Sequence, residues 1–436
     1  MAGWLGSKAG QRPLGSDGPT KSRVRTREFL ITWQTFAIAA IPGMAGSVWA
    51  TLRLTPRMNA VDLAEWVFLA SLLTVVLSIS QFGIKPGYMQ EVSDRGKDAR
   101  YAALRVSLLM TGTTGFVAGS VVAAALFFLR YLGHWQNSAV LLWLPLFGLL
   151  ANLGMMLHTD LRALGGARVL AVIAAVTFPL FAALLEFTLL AGINPLAAFF
   201  AAQCATSIIT IGYLGHRAEV MRHAGVDLRF LRRALLIGLP VMGGLLAKYV
   251  ADLTVSATFR WSADATVAGS FGLAVRATEP LMSLFIGAFQ MAWGATIYQW
   301  IKQSADGAIV QRFSARSWWM TVTGIPLGIF IAAPIIFYVK DTTVTMLDCM
   351  FVGMMISRLL AFGMASSMGF GQTLQRNYRV GMRLLLTEML VSITVLPLLA
   401  IASTPWAILA AAALPWWFVM QLRAHSNRVV QTLAPT

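Results

Sequence analysis

The sequence predicts an all-α polytopic membrane protein with about 12 transmembrane helices, arranged as two pseudo-symmetric six-helix lobes around a central cavity. Three features of the chain lead to this prediction. Apolar runs of bilayer length recur along the sequence, loops rich in basic residues alternate with loops poor in them, and a short motif repeats between the two halves.

The apolar runs predict the helices. A hydrocarbon core about 30 Å thick requires about 20 apolar residues per helix, and only helices or closed barrels satisfy every backbone group there. Apolar residues make up 57% of the chain. Runs of the required length are predicted near residues 29–51, 63–84, 104–129, 138–158, 168–191, 194–215, 234–256, 265–293, 316–338, 342–363, 382–402 and 404–422.

The basic residues predict the orientation, because cytoplasmic loops of membrane proteins collect Lys and Arg. If the N-terminus lies inside, 26 of the 34 Lys and Arg residues fall in inner segments and 5 fall in outer loops. The remaining three are Lys248, Arg276 and Arg358, which lie within spans. This asymmetry predicts that both termini are cytoplasmic.

The repeat predicts how the chain divides. Residues 41–46, Ile-Pro-Gly-Met-Ala-Gly, correspond in the seventh span to residues 239–244, Leu-Pro-Val-Met-Gly-Gly. Because six helices return the chain to its starting side, the halves are expected to be parallel copies about an axis along the membrane normal. The predicted divisions are a basic cytoplasmic tail (1–28), an N-terminal lobe (29–215), a cytoplasmic linker (216–233), a C-terminal lobe (234–422) and a cytoplasmic tail (423–436).

Several classes of function are disfavoured. The net charge of +16 could suggest a nucleic-acid partner, but the basic residues lie in loops on one side of the membrane, so no nucleic acid is expected. The outer loops are too short to form the outer domain of a membrane enzyme, and no catalytic residue is assigned. Cys204 and Cys349 lack the spacing of a zinc or haem site, so neither metal nor cofactor is expected.

Charged residues within spans are the candidate site, because a charge at the bilayer centre costs at least about 2.5 kcal/mol unless it faces a wet cavity or a partner. Lys248 and Asp252 are four residues apart, and Arg276 and Glu279 three apart, so each pair shares a helix face. These residues either form two local ion pairs or line a cationic cavity, and the cavity is the preferred interpretation.

Other spans offer weaker candidates. Glu388 could carry a coupling proton, or it could pair with Arg383 or Arg358, which lie near predicted inner ends where snorkelling explains them. Trp33 and Gln34 are candidates for the cavity wall, although hydrogen bonding between helices accounts for both equally well.

Motifs along most of the chain resemble those of polysaccharide and O-antigen flippases in the multidrug/oligosaccharidyl-lipid/polysaccharide exporter superfamily. No single motif is diagnostic, but their order and spacing are. They are Glu65-Trp66, Gln81-Phe82-Gly83, residues 161–165 (Leu-Arg-Ala-Leu-Gly), Gly238-Leu239-Pro240, Asp252, residues 267–274 (Val-Ala-Gly-Ser-Phe-Gly-Leu-Ala) with the following Arg276, and residues 288–293 (Ala-Phe-Gln-Met-Ala-Trp).

The resemblance implies a bacterial inner-membrane flippase that moves an undecaprenyl-diphosphate-linked oligosaccharide to the periplasmic leaflet by alternating access. Its partners would be that lipid-linked oligosaccharide, membrane lipids, and a polysaccharide polymerase and co-polymerase. Arg276 and Lys248 would bind the diphosphate, with Asp252, Glu279, Gln34 and Trp33 nearby, and Asp252 and Glu388 are the candidate ion-coupling residues. The alternative is an ion-coupled multidrug exporter of the same superfamily.

Overall fold

The computed structural model describes residues 19–85, 87–88, 97–135, 137–163, 167–217, 227–261, 264–303, 308–340, 343–375 and 379–433. All regular secondary structure in these ranges is helical. We number the helices α1 (Pro19–Leu54), α2 (Ala60–Ser80), α3 (Lys97–Tyr131), α4 (Leu144–Ala163), α5 (Ala167–Leu190), α6 (Pro195–Arg217), α7 (Leu228–Arg260), α8 (Ala265–Leu281), α9 (Ala288–Gln303), α10 (Ala308–Arg316), α11 (Trp319–Lys340), α12 (Met346–Met368), α13 (Phe370–Gln375), α14 (Arg379–Ala402) and α15 (Thr404–Leu433).

Local sequence sets several of the helix starts. Asn59, Asp227 and Asp264 precede α2, α7 and α8, and each side chain accepts a hydrogen bond from a backbone N–H in the first turn. Thr345 and Asp348 form a reciprocal capping box at the start of α12. The caps at Asn59, Asp264 and Thr345 lie at predicted outer loops, whereas Asp227 lies in the predicted cytoplasmic linker.

The two halves use the same pattern of helix contacts, which confirms the predicted two-lobe fold class. In the N-terminal half, α1 packs against α5, α5 and α4 against α6, α3 against α4, and α2 against α3. In the C-terminal half, the corresponding contacts are α7 with α14, α14 and α12 with α15, α11 with α12, and α8 with α11.

The helices differ from the predicted spans mainly at their ends. Ten segments among the described residues are long and apolar enough to cross a membrane, and α7 and α8–α9 cover the other two predicted spans. Residues 19–28 and 423–433, predicted as tails, continue α1 and α15. The linker predicted at 216–233 is shorter, because α6 ends at Arg217 and α7 begins at Leu228. Hydropathy marks only the apolar part of a helix, whereas backbone hydrogen bonding continues into water.

The eighth span is not a regular helix. Residues Met282–Gly287 form a π-helical turn that joins α8 to α9, two residues after Pro280. Such turns widen the helix locally and are frequent at functional sites. Trp33 of α1 donates its Nε1–H to the Phe285 carbonyl in this turn at 3.4 Å, so α1 is fastened to the other half there.

Helix α2 makes the central contact between the halves, packing against both α7 and α8. We call the end where α2 begins the outer end, following the predicted orientation, and the opposite end the inner end. At the outer end, a Cβ atom on Gly269 would lie 2.8 Å from the Ala60 Cβ. At the inner end, the Gly83 and Gly238 backbones touch so closely that a Cβ on either residue would overlap the other. The α2 contacts are therefore closed at both ends.

A buried polar cluster supports the inner end. Tyr88 donates a hydrogen bond to Asp160 at 2.5 Å and its ring packs edge-on against Phe230 of α7, while Arg100 contacts both carboxylate oxygens of Asp160. Burial, and secondly the Asp160 carboxylate, raise the pKa of Tyr88 above its usual range, so the phenol remains a donor.

Candidate functional site

A cavity of about 350 Å³ lies in the C-terminal half, and α2 forms one wall of it. This volume is within the range of small-molecule sites, which are mostly apolar with a few placed polar groups. Its lining follows that description. The apolar walls include Phe271, Met282, Met355, Phe362 and Phe418. The ionisable carboxylates and cations that line the cavity are Lys248, Asp252, Arg276, Glu279, Arg358 and Glu388.

Asp252 of α7 is held by two cations. The Lys248 ammonium lies 2.5 Å from Oδ2, and the Arg358 guanidinium, which comes from α12, lies 2.5 Å from Oδ1. The second Arg358 nitrogen donates to the Ala411 carbonyl of α15 at 2.8 Å. The Lys248 ammonium also lies 4.2 Å from the centre of the Phe362 ring, a cation–π contact. Helices α7, α12 and α15 are therefore joined through Asp252 and the Arg358 that binds it.

Arg276 of α8 makes the second charged contact. Its guanidinium lies 3.7 Å from the centre of the Trp66 ring on α2 and donates to Glu279 at 2.9 Å. A weaker bond of 3.5 Å reaches the Trp66 carbonyl. The Arg276 Nε is buried without a partner among the described atoms. Arg276 thus joins the cavity to the other half of the protein.

Glu388 of α14 is the most buried carboxylate of the cavity, with 4% of its surface exposed. The charged groups that act on it are Arg358, Asp252 and Lys248. No hydrogen-bond donor to its carboxylate is found in the described part of the chain, and neither Arg383 nor Arg358 forms an ion pair with it there. The alternative in which Glu388 pairs with one of these arginines is therefore not what the structure contains.

The most exposed charged side chains of the cavity are two carboxylates. The side chains of Glu279 and Asp252 are 41% and 34% exposed, whereas those of Lys248, Arg276 and Arg358 are 18%, 8% and 8% exposed. The sequence predicts a cationic cavity from the presence of Lys and Arg within spans, which says nothing about how exposed each side chain is. In the structure, a ring or a backbone carbonyl covers each cation, and the Glu279 and Asp252 carboxylates are more exposed to the cavity.

The structure brings together five of the predicted site residues and leaves two elsewhere. Lys248, Asp252, Arg276, Glu279 and Glu388 line the one cavity. Trp33 and Gln34 are not among its lining residues: Trp33 packs edge-on against Phe285 and Trp319, and Gln34 is exposed.

Arg358 lines the cavity, although the sequence predicts it near the end of its span. The predicted span 342–363 puts it near an inner end, but α12 runs from Met346 to Met368, so Arg358 lies at mid-helix. It is 8% exposed and binds Asp252 rather than snorkelling to the surface. The pattern that could have revealed it is the stretch without charged residues that continues beyond residue 363 to Met368.

Comparison with solved structures identifies the fold. An outward-facing MATE-family multidrug resistance transporter of the MOP superfamily matches with a TM-score of 0.68 at 12% identity, covering 94% of this chain and 97% of its own. A MOP-superfamily transporter from Pyrococcus furiosus, whose binding pocket is described as having reverse polarity, matches at 0.65 and 14% identity, covering 95% and 97%. An inward-facing MATE transporter matches at 0.59 and 10% identity, covering 92% and 98%.

No family model matches the sequence, and no curated protein matches it. At these identities, the structural likeness establishes the fold and leaves the activity open. The chain is a multi-pass membrane protein with the fold of MOP-superfamily transporters of the MATE type.

Proposed function

We propose that the protein is an ion-coupled exporter that moves small amphipathic cations across the membrane by alternating access. The observation that carries this proposal is the polarity of the cavity, where the exposed charged groups are the Glu279 and Asp252 carboxylates. Ionisable groups inside a membrane bundle mark substrate or ion pathways. The apolar wall, which includes Met282 and Met355, suits solutes of varied shape, because Met side chains adapt to irregular surfaces.

The driving force is an ion gradient in this proposal. The chain contains no Gly-x-x-x-x-Gly-Lys-Ser/Thr loop that would bind ATP. Asp252 is occupied by two cations, so its role is to hold α7 against α12. Glu388 has no described donor, and we assign it the coupling proton.

Transport by purified protein in proteoliposomes tests the proposal. We expect a lipophilic cationic dye to accumulate when a pH gradient is imposed, and accumulation to stop when an ionophore removes the gradient. Empty liposomes and Asp252→Asn protein are the controls. If the protein transports no member of a panel of cationic dyes under any imposed proton or sodium gradient, the exporter proposal fails.

Glu388→Gln separates coupling from binding. The amide has nearly the shape of the carboxyl group but carries no titratable proton, so we expect gradient-driven transport to fall about tenfold, to the rate seen without a gradient. Dye affinity should change less than about twofold, because Glu388 is far less exposed to the cavity than Glu279 and Asp252. Dye flux and equilibrium binding are measured on the same preparation.

Glu186→Gln is the matched control for this change. Glu186 is an α5 carboxylate that binds Arg53 of α1 at 2.5 Å and does not line the cavity. The Glu186→Gln substitution should leave both dye flux and dye binding unchanged. Transport by Glu388→Gln that remained fully responsive to the gradient would assign the coupling ion to another group.

A lipid-linked oligosaccharide flippase is the second candidate function, and Arg276 favours it. This buried guanidinium has a free Nε and lies beside the cavity, where it could meet a diphosphate. Two features oppose it: the cavity of about 350 Å³ is small for an oligosaccharide, and the cations are less exposed than the Glu279 and Asp252 carboxylates.

The two candidates differ in what the protein carries. A short-chain polyprenyl diphosphate sugar, supplied in one leaflet of a proteoliposome, should remain there if the protein exports cations. Rapid appearance in the other leaflet, lost in Arg276→Ala and Lys248→Ala proteins that still insert, would support the flippase and displace the exporter.

A further inference from the structure

Two adjacent residues of α2, Glu65 and Trp66, contact two arginines of the other half. The Glu65 carboxylate is fully buried and binds Arg260, at the end of α7, at 2.8 Å. The Trp66 ring covers Arg276 of α8 at 3.7 Å. One helical turn of the N-terminal half therefore contacts both C-terminal helices that face it.

A polar network holds Glu65 in place. Asn137, in the α3–α4 connection, donates to Glu65 at 2.5 Å and to Asp62 at 2.9 Å, and Asn194 donates to Asn137 at 3.1 Å. Arg260 also donates to the His134 carbonyl at 3.3 Å. The two hydrogen-bond acceptors of Arg260, Glu65 and the His134 carbonyl, therefore belong to the N-terminal half. Separating α2 from α7 would break the Arg260–Glu65 pair.

We propose that Glu65 and Trp66 form an interlobe clamp that keeps the outer end closed and holds the Arg276 guanidinium between the Trp66 ring and the exposed carboxylate Glu279. Release of Arg276 from the Trp66 ring lets the guanidinium turn wholly to Glu279. A cationic solute bound at Glu279 then loses its counter-charge as the outer end opens. The effect on a cation bound at Glu279 rests on the proposed cation export. The clamp itself requires only that the two lobes separate.

The energetics favour a clamp. Removing one partner of a buried ion pair leaves an uncompensated charge, and a desolvated cation–π contact is also lost when α2 moves away. These contacts favour the state in which the outer end is closed over the state in which it is open. A bound solute can shift this equilibrium only by the difference in its affinity for the two states.

Accessibility of the cavity from the outer side tests the clamp. The parent protein carries Cys204→Ala, Cys349→Ala and Val275→Cys, since Val275 lines the cavity. Sealed vesicles of known orientation are treated with a membrane-impermeant maleimide. We expect Glu65→Gln and Trp66→Leu each to raise the outer-side labelling rate about tenfold, because each loosens the closed state. Trp66→Phe keeps an aromatic ring over Arg276 and should fall between Trp66→Leu and the parent.

Asp62→Asn is the matched control. Asp62 lies one turn before Glu65 and accepts from the same Asn137, but no described contact joins its side chain to the C-terminal half. It should leave the labelling rate within about twofold of the parent. If Asp62→Asn accelerates labelling as much as Glu65→Gln does, general loosening explains the effect and the clamp is wrong. Unchanged labelling in both Glu65→Gln and Trp66→Leu would overturn it as well.

The Trp66 variants also test whether the contact between Trp66 and Arg276 affects cation binding at Glu279. This test leaves Glu65 unchanged. We expect Trp66→Leu to weaken binding of a cationic dye about fivefold, and Trp66→Phe to preserve it, because a ring still covers Arg276. Unchanged dye affinity in Trp66→Leu would refute that effect. If the parent binds no dye but the labelling pattern holds, the exporter proposal fails and the clamp stands.

Discussion

Asp252→Asn should reduce transport at least about 100-fold, the largest loss of any single change in the cavity. The amide removes the negative charge that Lys248 and Arg358 both bind, and neither cation then has its carboxylate partner. Breaking such a pair by removing one partner costs about 3–5 kcal/mol when it is fully buried, and less here because Asp252 is one-third exposed. Initial rates in proteoliposomes and thermal stability in detergent measure the two effects.

Two further variants separate charge from shape at this position. Asp252→Glu keeps the charge and should retain part of the activity. Asp252→Asn combined with Lys248→Gln removes one charge of each sign, so stability should largely return while transport does not. Wild-type rates for Asp252→Asn at equal protein abundance would show that Asp252 has no part in transport.

Gly238→Ala should abolish closure of the inner end, with transport falling about 100-fold. A Cβ at this position would overlap the Gly83 carbonyl oxygen, and Gly83 cannot move freely because it holds a left-handed φ of +73° at the end of α2. The α2 and α7 backbones must therefore separate. We expect Ile84→Cys, buried at this contact, to label from the inner side much faster in Gly238→Ala protein.

Gly243→Ala is the matched control on the same helix. Its added Cβ would lie 3.4 Å from the Met382 sulfur, an ordinary contact with a flexible side chain. The Gly243→Ala protein should match the parent protein both in transport and in the rate at which Ile84→Cys is labelled. The prediction is wrong if Gly238→Ala matches Gly243→Ala in both measurements.

Part of the site could be predicted because it depends on neighbours along one helix. Lys248 with Asp252 and Arg276 with Glu279 are pairs at helical spacing, and both ion pairs exist in the structure. The helical fold class follows equally from the sequence, since a bilayer leaves the backbone no other solution than a helix or a closed barrel.

The rest depends on how helices are rotated and placed beside one another. Trp33 and Gln34 are polar positions on a predicted span, but the hydropathy of α1 does not indicate which of its faces meets another helix. Arg358 joins Asp252 across 106 residues of chain, and its depth depends on where α12 ends. No spacing rule reports such a contact.

By itself the sequence determined the class of protein, the number of spans, the predicted orientation and the two local ion pairs, because bilayer thickness and helical periodicity act on short segments. The tertiary structure alone decided the polarity of the cavity. Whether a charge faces a cavity depends on which rings and carbonyls cover it. Trp66 reaches Arg276 across 210 residues, and Phe362 reaches Lys248 from another helix. Burial by distant residues is set by the packing of whole helices, which no local pattern encodes.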